Sequence, residues 1–333
     1  MNDLPKLVNA LALVFCLLVL LFGTSMLLVY YPQILHDNRI LSTDNAVTNK
    51  INLWKAPDTT AIPKNKEGSL IRYGRDLIVR TSSYLGPHGS VLNISNGMNC
   101  QNCHLEAGTK PYGNNYGSVA SLYPKFRGRS GKIESIEKRI NDCLERSLNG
   151  LALDSLSREM RAMVAYMQWL GKDVLKGENA AGAGLIKMKW LSRAADPVAG
   201  RKLYLKNCQI CHGNSGEGQK ISINGNFIYP PSWGESSFNI GAGLFRISNF
   251  ARYIFANMPN GATYEKPILI EEEAWDIAAF VLSMPRPQKD YHRDWPKMEL
   301  KPVDHPFGPY KDSFAEEQHK FGPFTPIEKI LIK

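Results

Sequence analysis

Cys100-Gln-Asn-Cys103-His104 and Cys208-Gln-Ile-Cys211-His212 decide how this chain is read. Each is a C-x-x-C-H pentapeptide, the signature through which a c-type haem is attached. The spacing has a chemical reason. Two thiols about one helical turn apart reach the two vinyl groups of one porphyrin, and the adjacent imidazole then falls beneath the iron as its proximal ligand. A zinc site would need a second C-x-x-C or a histidine pair at suitable spacing, and neither accompanies these motifs. A thioredoxin-like C-x-x-C would not need the trailing histidine. Two copies therefore predict two covalently bound haem c groups, each with its iron. Cys100, Cys103, Cys208 and Cys211 would attach them, with His104 and His212 as ligands. Attachment of this kind takes place outside the cytoplasm.

Outward from the motifs the chain repeats itself. Gly74-Arg75-Asp76-Leu77-Ile78 opens a first helical stretch and Gly200-Arg201-Lys202-Leu203-Tyr204 a second, each ahead of its motif. Each unit closes with another helix, over 159–170 and 271–284. Apolar positions recur there at helical spacing, Met163, Tyr166 and Met167 matching Ile277, Phe280 and Val281. Helix, motif, loop and helix is the layout of a small α-helical cytochrome c domain. The expected fold is mostly α: two tandem cytochrome c domains behind a single N-terminal transmembrane helix. The boundaries read as an anchor over 1–31, a linker over 32–64, domain one over 65–175, a Gly/Ala-rich linker over 176–190 and domain two over 191–285. A C-terminal segment over 286–333 completes the chain. Eight prolines between 285 and 326 argue against continuous helix there, and the segment reads as an irregular wrap over the domains.

The anchor is the apolar run 7–31. At 1.5 Å per residue it is long enough to cross a hydrocarbon core of about 30 Å. A cleaved signal would have a shorter apolar core followed by small residues, whereas Tyr30, Tyr31 and Pro32 end this run. The expected location is the bacterial inner membrane, with the haem domains in the periplasm. Net charge is +9, with 21% charged and 44% hydrophobic residues, a globular composition. The basic residues are scattered, without the stripe of a nucleic-acid binder, so a small anion is the better-matched partner.

Six cysteines leave two beyond the motifs: Cys16 in the apolar run, and Cys143. Met258, in Asn257-Met258-Pro259-Asn260, sits where a distal thioether ligand would reach the second iron and raise its potential. In the first unit the matching slot holds Cys143, which precedes Tyr166 by 23 residues as Met258 precedes Phe280 by 22. Met160, Met163 and Met167 fall on the closing helix at core spacing and read as packing. Cys143 has two readings. It is either a thiolate ligand of the first iron or a buried thiol extending a stripe of Ile133, Ile136, Ile140 and Leu144. Thiolate would lower the potential of the first centre and, as a sulfur nucleophile, could attack an S–S bond.

Asn141-Asp142-Cys143-Leu144-Glu145-Arg146-Ser147-Leu148-Asn149-Gly150 resembles the dihaem thiosulfate dehydrogenase family, which also works as tetrathionate reductase. The similarity covers roughly residues 65–285. It includes both C-x-x-C-H motifs, Tyr123-Pro124, Arg129-Ser130-Gly131 and Tyr229-Pro230-Pro231-Ser232-Trp233-Gly234. The resemblance implies that Cys143 ligates the first iron and is the catalytic residue, that Met258 ligates the second, and that Arg129, Arg139 and Ser147 face the substrate. Some relatives carry an iron-binding lysine immediately before that methionine. Asn257 stands there in this chain, which argues against a lysine-for-methionine switch. The implied reaction joins two thiosulfates into tetrathionate with release of two electrons, or runs in reverse.

The expected redox partner is a soluble cytochrome c or a membrane quinol or oxidase complex. Arg129 and Arg139 also admit pairing with a haem propionate or a solvated helix face, and Ser147 a surface position. Two rival functions remain open on sequence: a membrane-anchored electron carrier without catalysis, for which Cys143 has no purpose, and a sulfur-oxidation cytochrome that conjugates thiosulfate to a carrier thiol. A peroxidase would need an open haem, to which no residue points.

Overall fold

Each half of the chain opens on a helix whose start the sequence marks. In the computed structural model, which describes residues 13–23, 52–222 and 226–331, α1 (Lys66–Val79) begins at Asn65. The Asn65 side chain accepts from the Gly68 amide at 2.9 Å, satisfying one of the orphan donors of the first turn. Ser135 caps α2 (Ile136–Asp142), and Ser157 caps α3 (Arg158–Leu170) through the Met160 amide at 3.1 Å. In the second half, Asp196 accepts from the Val198 and Ala199 amides to start α4 (Pro197–Asn207). Proline at its first position loses no hydrogen bond there. Two further helices follow, α5 (Ile247–Asn257) and α6 (Glu271–Ser283).

The two halves are assembled by the same crossing. α1 lies across α3 and α4 across α6, each meeting at the glycine that opens the repeat. A Cβ on Gly74 would stand 1.9 Å from the Ala162 carbonyl oxygen and 2.9 Å from the Tyr166 Cβ. A Cβ on Gly200 would stand 1.9 Å from the Asp276 carbonyl oxygen and 2.9 Å from the Phe280 Cβ. Only a residue without a side chain lets these backbones approach so closely. The match extends to the closing helices: Met163, Tyr166 and Met167 are buried in one core, Ile277, Phe280 and Val281 in the other. The cores are distinct, one formed by residues between Ile62 and Leu170 and one by residues between Met188 and Ile327.

The described strands form two small antiparallel hairpins. β1 (Lys125–Arg127) pairs with β2 (Lys132–Glu134), and β3 (Gln219–Lys220) with β4 (Phe227–Tyr229). The first alters one expectation. Ile133 lies on β2 and is 74% exposed, whereas Ile136, Ile140 and Leu144 are buried, so the apolar stripe starts only where α2 starts. Capping by Ser135 turns the chain between the two.

The C-terminal segment is more structured than its prolines suggest. After an irregular stretch it forms α7 (Glu316–Phe321) and α8 (Thr325–Leu331), and Phe324 and Ile327 are buried in the second core. Proline falls at helix starts and between helices, where no amide donor is lost.

Residues 13–23 are helical, while the remainder of the apolar run 7–31 lies outside the described residues. Among the described residues, no helix is long and apolar enough to cross a membrane.

Candidate functional site

Both C-x-x-C-H motifs fold as one helical turn. The His104 amide donates to the Cys100 carbonyl at 3.0 Å and the His212 amide to the Cys208 carbonyl at 3.0 Å. Each imidazole is then pinned through its Nδ1: His104 at 2.6 Å from the Asn114 carbonyl, His212 at 2.8 Å from that of Pro230. With Nδ1–H donating, Nε2 keeps its lone pair for a metal. Burial pushes the Cys100, Cys103 and Cys208 thiols up to about 12, with a smaller contribution from neighbouring thiols, so they are held neutral. None of the motif cysteines is in a disulfide. Among the described residues, no cluster of three or more His, Cys, Asp or Glu side chains is arranged to hold a bare metal ion. Paired thiols beside a single pinned imidazole suit a porphyrin iron instead.

Each motif opens onto its own cavity. The first, about 220 Å³, is lined by Cys100, Cys103, His104, Arg139, Cys143 and Ser147, and also by Met163 and Met167 of α3. The second, about 350 Å³, is lined by Cys208, Cys211, His212 and Met258. Cys103 lines both, so one motif cysteine stands in the wall between the two cavities. Tyr253 of α5, also on the second cavity, donates its hydroxyl to the Asn102 carbonyl at 2.7 Å, inside the first motif. The two sites adjoin.

Cys143 stands where α2 changes pitch. The helix runs on as a π turn, Cys143–Ser147, and the Leu148 amide donates to the Cys143 carbonyl at 2.9 Å across five residues. Such insertions are rare and concentrate at functional sites. The turn closes because Asn149 adopts φ 43°, and because Gly150 leaves room for the Ile94 carbonyl, which a Cβ there would approach to 1.9 Å. Burial alone would raise the Cys143 thiol. The Arg139 guanidinium, with a smaller contribution from the neighbouring His104 ring, outweighs it and brings the thiol down to about 7. Cys143 in turn holds Arg139 more firmly protonated. The cavity thus brings a thiol, an arginine and an imidazole together.

Not every expected residue reaches that wall. Arg139 and Ser147 line the first cavity, but Arg129 does not. Its Nη1 donates to the Gly241 carbonyl at 2.8 Å, and its Nε lies 3.9 Å from Asp294 in the C-terminal segment. The Gly128–Gly131 turn of the β1–β2 hairpin is where that segment docks, with Trp295 and Leu300 against Gly128 and Pro296 against Gly131. Arg127 and Tyr123 line the cavity instead, and no sequence pattern pointed to Arg127.

In the second site α5 stops at Asn257, and Met258 follows in extended conformation with its side chain on the cavity. Asn257 is buried, its Nδ2 donating to the carbonyls of Tyr112 and Tyr253, both at 3.1 Å.

Two helical units, each with a C-x-x-C-H turn and a pinned imidazole over its own slot, define a dihaem c-type cytochrome. Family models agree: residues 92–174 match "SoxA/TsdA, cytochrome c domain" and residues 197–285 match "Cytochrome c". The chain is 40% identical to the thiosulfate dehydrogenase of Psychrobacter arcticus over 73% of its own length and 71% of that protein's. It is 37% identical to that of Allochromatium vinosum, over 69% and 83% respectively. Among solved structures, the thiosulfate dehydrogenase (TsdBA) from Marichromatium purpuratum in its as-isolated form superposes with a TM-score of 0.65 at 28% identity. That match covers 72% of this chain and half of the other. The chain belongs to the thiosulfate dehydrogenase family and carries two covalently bound haem c groups.

Proposed function

We propose that this chain interconverts thiosulfate and tetrathionate at the first haem site and passes electrons through the second. The observation that carries the reading is the first cavity, which His104, Cys143 and Arg139 all line. A thiol lowered to about 7 beside a guanidinium is a nucleophile placed next to an anion-binding group. An electron carrier has no use for either.

In this reading Cys100 and Cys103 attach the first haem and Cys208 and Cys211 the second. His104 and Cys143 would hold the first iron, and His212 and Met258 the second. When bound, the two haems supply one-electron acceptors for the two electrons of the reaction. The chain's own residues do the rest. Arg139 takes one thiosulfate through forked, charge-assisted hydrogen bonds, with the Ser147 hydroxyl on the same wall. The Cys143 thiolate forms an S–S bond to the outer sulfur of that thiosulfate, giving a Cys143 S-thiosulfonate as two electrons leave. A second thiosulfate attacks the outer sulfur, tetrathionate departs, and the Cys143 thiolate is restored. Charge balances in both steps, and no proton is consumed.

A thioether from Met258 would favour the reduced state of the second iron and a thiolate from Cys143 the oxidised state of the first, so the pair would poise electron transfer toward the second site. Cys103 lines both cavities and Tyr253 beside the second bonds to Asn102 of the first motif, so the two sites adjoin. Asn257 offers no amine to compete with Met258. The reading extends to a periplasmic enzyme held at the bacterial inner membrane by the apolar run 7–31. Electrons are exchanged there with a soluble cytochrome c or a membrane complex.

The test is thiosulfate-dependent haem reduction in Cys143→Gly. Both haems remain bound and turnover falls by about 100-fold or more, the scale of losing an activated nucleophile or base. Wild-type rates in that variant would remove Cys143 from the chemistry and leave an electron conduit. Low-temperature electron paramagnetic resonance of the oxidised protein checks the ligand set independently, because thiolate-bound low-spin haem has its own g-values.

A further inference from the structure

The π turn that carries Cys143 is held from outside its own domain. Arg146, three residues on, makes a two-pronged ion pair with Asp294 of the C-terminal segment: Nη1 to Oδ2 at 2.8 Å and Nη2 to Oδ1 at 2.8 Å. Asn239 of the second domain grips the same turn by its backbone and its end. The Asn239 amide donates to the Arg146 carbonyl at 3.1 Å, and Nδ2 donates both to the Glu145 carbonyl and to Asn149 Oδ1 at 2.9 Å. Asn239 is fully buried, and the Arg146 and Asp294 side chains are 13% and 11% exposed. Arg129 donates to Gly241 beside Asn239, and its carbonyl accepts from the Trp295 amide at 2.6 Å. The C-terminal segment and the second domain therefore converge on residues 145–149, and the β1–β2 hairpin braces both of them through Arg129.

A π turn is a rare insertion, and this one ends on Asn149 at φ 43°, a conformation that persists where the surroundings hold it. Its last carbonyls have no regular helical partners, and here Asn239 supplies them. We propose that Asn239 and Asp294 form a clasp that fixes the π turn and so sets how firmly Cys143 is presented to the first haem site. They are positioning residues, since neither lines that cavity. The clasp deepens the proposed function, because a sulfur that bonds iron and substrate by turns needs a support stiff enough to return it to one place. It also ties the second domain mechanically to the thiol of the first.

The experiment compares full-length dihaem wild type with Asp294→Asn, Asp294→Glu and Asn239→Ala. Paramagnetic resonance reads the ligation of the oxidised first haem, and amide hydrogen exchange reads residues 144–150. In Asp294→Asn the thiolate-type signal loses intensity to a second species, and exchange over 144–150 speeds by about tenfold or more. The second haem's spectrum stays unchanged. Asp294→Glu, which keeps the charge, recovers part of both readouts. Asn239→Ala leaves no charge unpaired, so it decides the matter should Asp294→Asn fail to retain haem. Wild-type spectra and exchange in the Asn239 and Asp294 variants would overturn the clasp. A wild type without any thiolate signal would instead sink the ligand assignment, and the exchange data would still test the clasp on their own.

Discussion

The two halves share a frame and differ at one wall. Gly74 over Ala162 and Gly200 over Asp276 make the same crossing, and His104 and His212 are pinned alike by backbone carbonyls. On the distal side the likeness ends. The first half offers Cys143 on a π turn beside Arg139, and the second Met258 just past the end of a regular helix. A neutral thioether after a relaxed helix end suits a centre that only holds and passes electrons. A thiol beside a guanidinium, on a turn held from outside its own domain, suits the proposed sulfur chemistry. A common scaffold can thus be specialised through one side chain facing the cavity and whatever supports it.

The largest effect should come from erasing that difference at the second centre. Met258→His is expected to lower its potential by a few tenths of the roughly 0.8 V range that axial ligands command. Thiosulfate would then still reduce the first haem, while electrons stall before the second. Spectroelectrochemical titration of each haem would show it, and an unmoved second potential would break the proposed direction of flow.

A smaller loss should follow at the anion-binding wall. Arg139→Leu removes a charge-assisted hydrogen bond of about 1.5–3 kcal/mol, so kcat/KM for thiosulfate should fall roughly 10- to 100-fold, with partial recovery in Arg139→Lys. Arg129→Leu makes a useful contrast. Its guanidinium is committed to Gly241 and Asp294 outside the cavity, so it should cost stability more than substrate affinity. Melting curves beside KM values would separate the two arginines.

The smallest effect sharpens the likeness itself. Gly74→Ala and Gly200→Ala each force a methyl into a backbone contact, at an expected cost of about 1–3 kcal/mol. Denaturant unfolding should show losses of similar size. A large inequality would mean that the two crossings, alike in distance, are unlike in their ability to relax.

Much of this was readable from the chain alone. Local rules govern the motif turns, the cap residues and the spacing of the closing helices, so neighbours in sequence suffice to reveal them. The repeat glycines were visible as a pattern, and the close backbone approach they permit is a property of glycine anywhere. The aligned slots placed Cys143 and Met258, and each lines the cavity of its own half. Arg129 misled because its sequence neighbours in Arg-Ser-Gly carry the family resemblance, while its guanidinium is claimed by Gly241 and Asp294, more than a hundred residues away. Ile133 misled for a related reason: three-residue spacing continues through Ser135, but the cap there ends one element and begins another.

The sequence by itself determined that two haem c groups are attached, that the fold is mostly helical, and that Cys143 and Met258 hold matching positions in the two halves. These follow from covalent spacing and helical period, which act over a few residues. Only the tertiary structure decided that Cys143 rides a π turn, that Arg139 rather than Arg129 shares its wall, and that Asn239 and Asp294 close over that turn. Those outcomes depend on contacts between segments distant in the chain, and such contacts form only when the halves and the C-terminal segment fold onto one another.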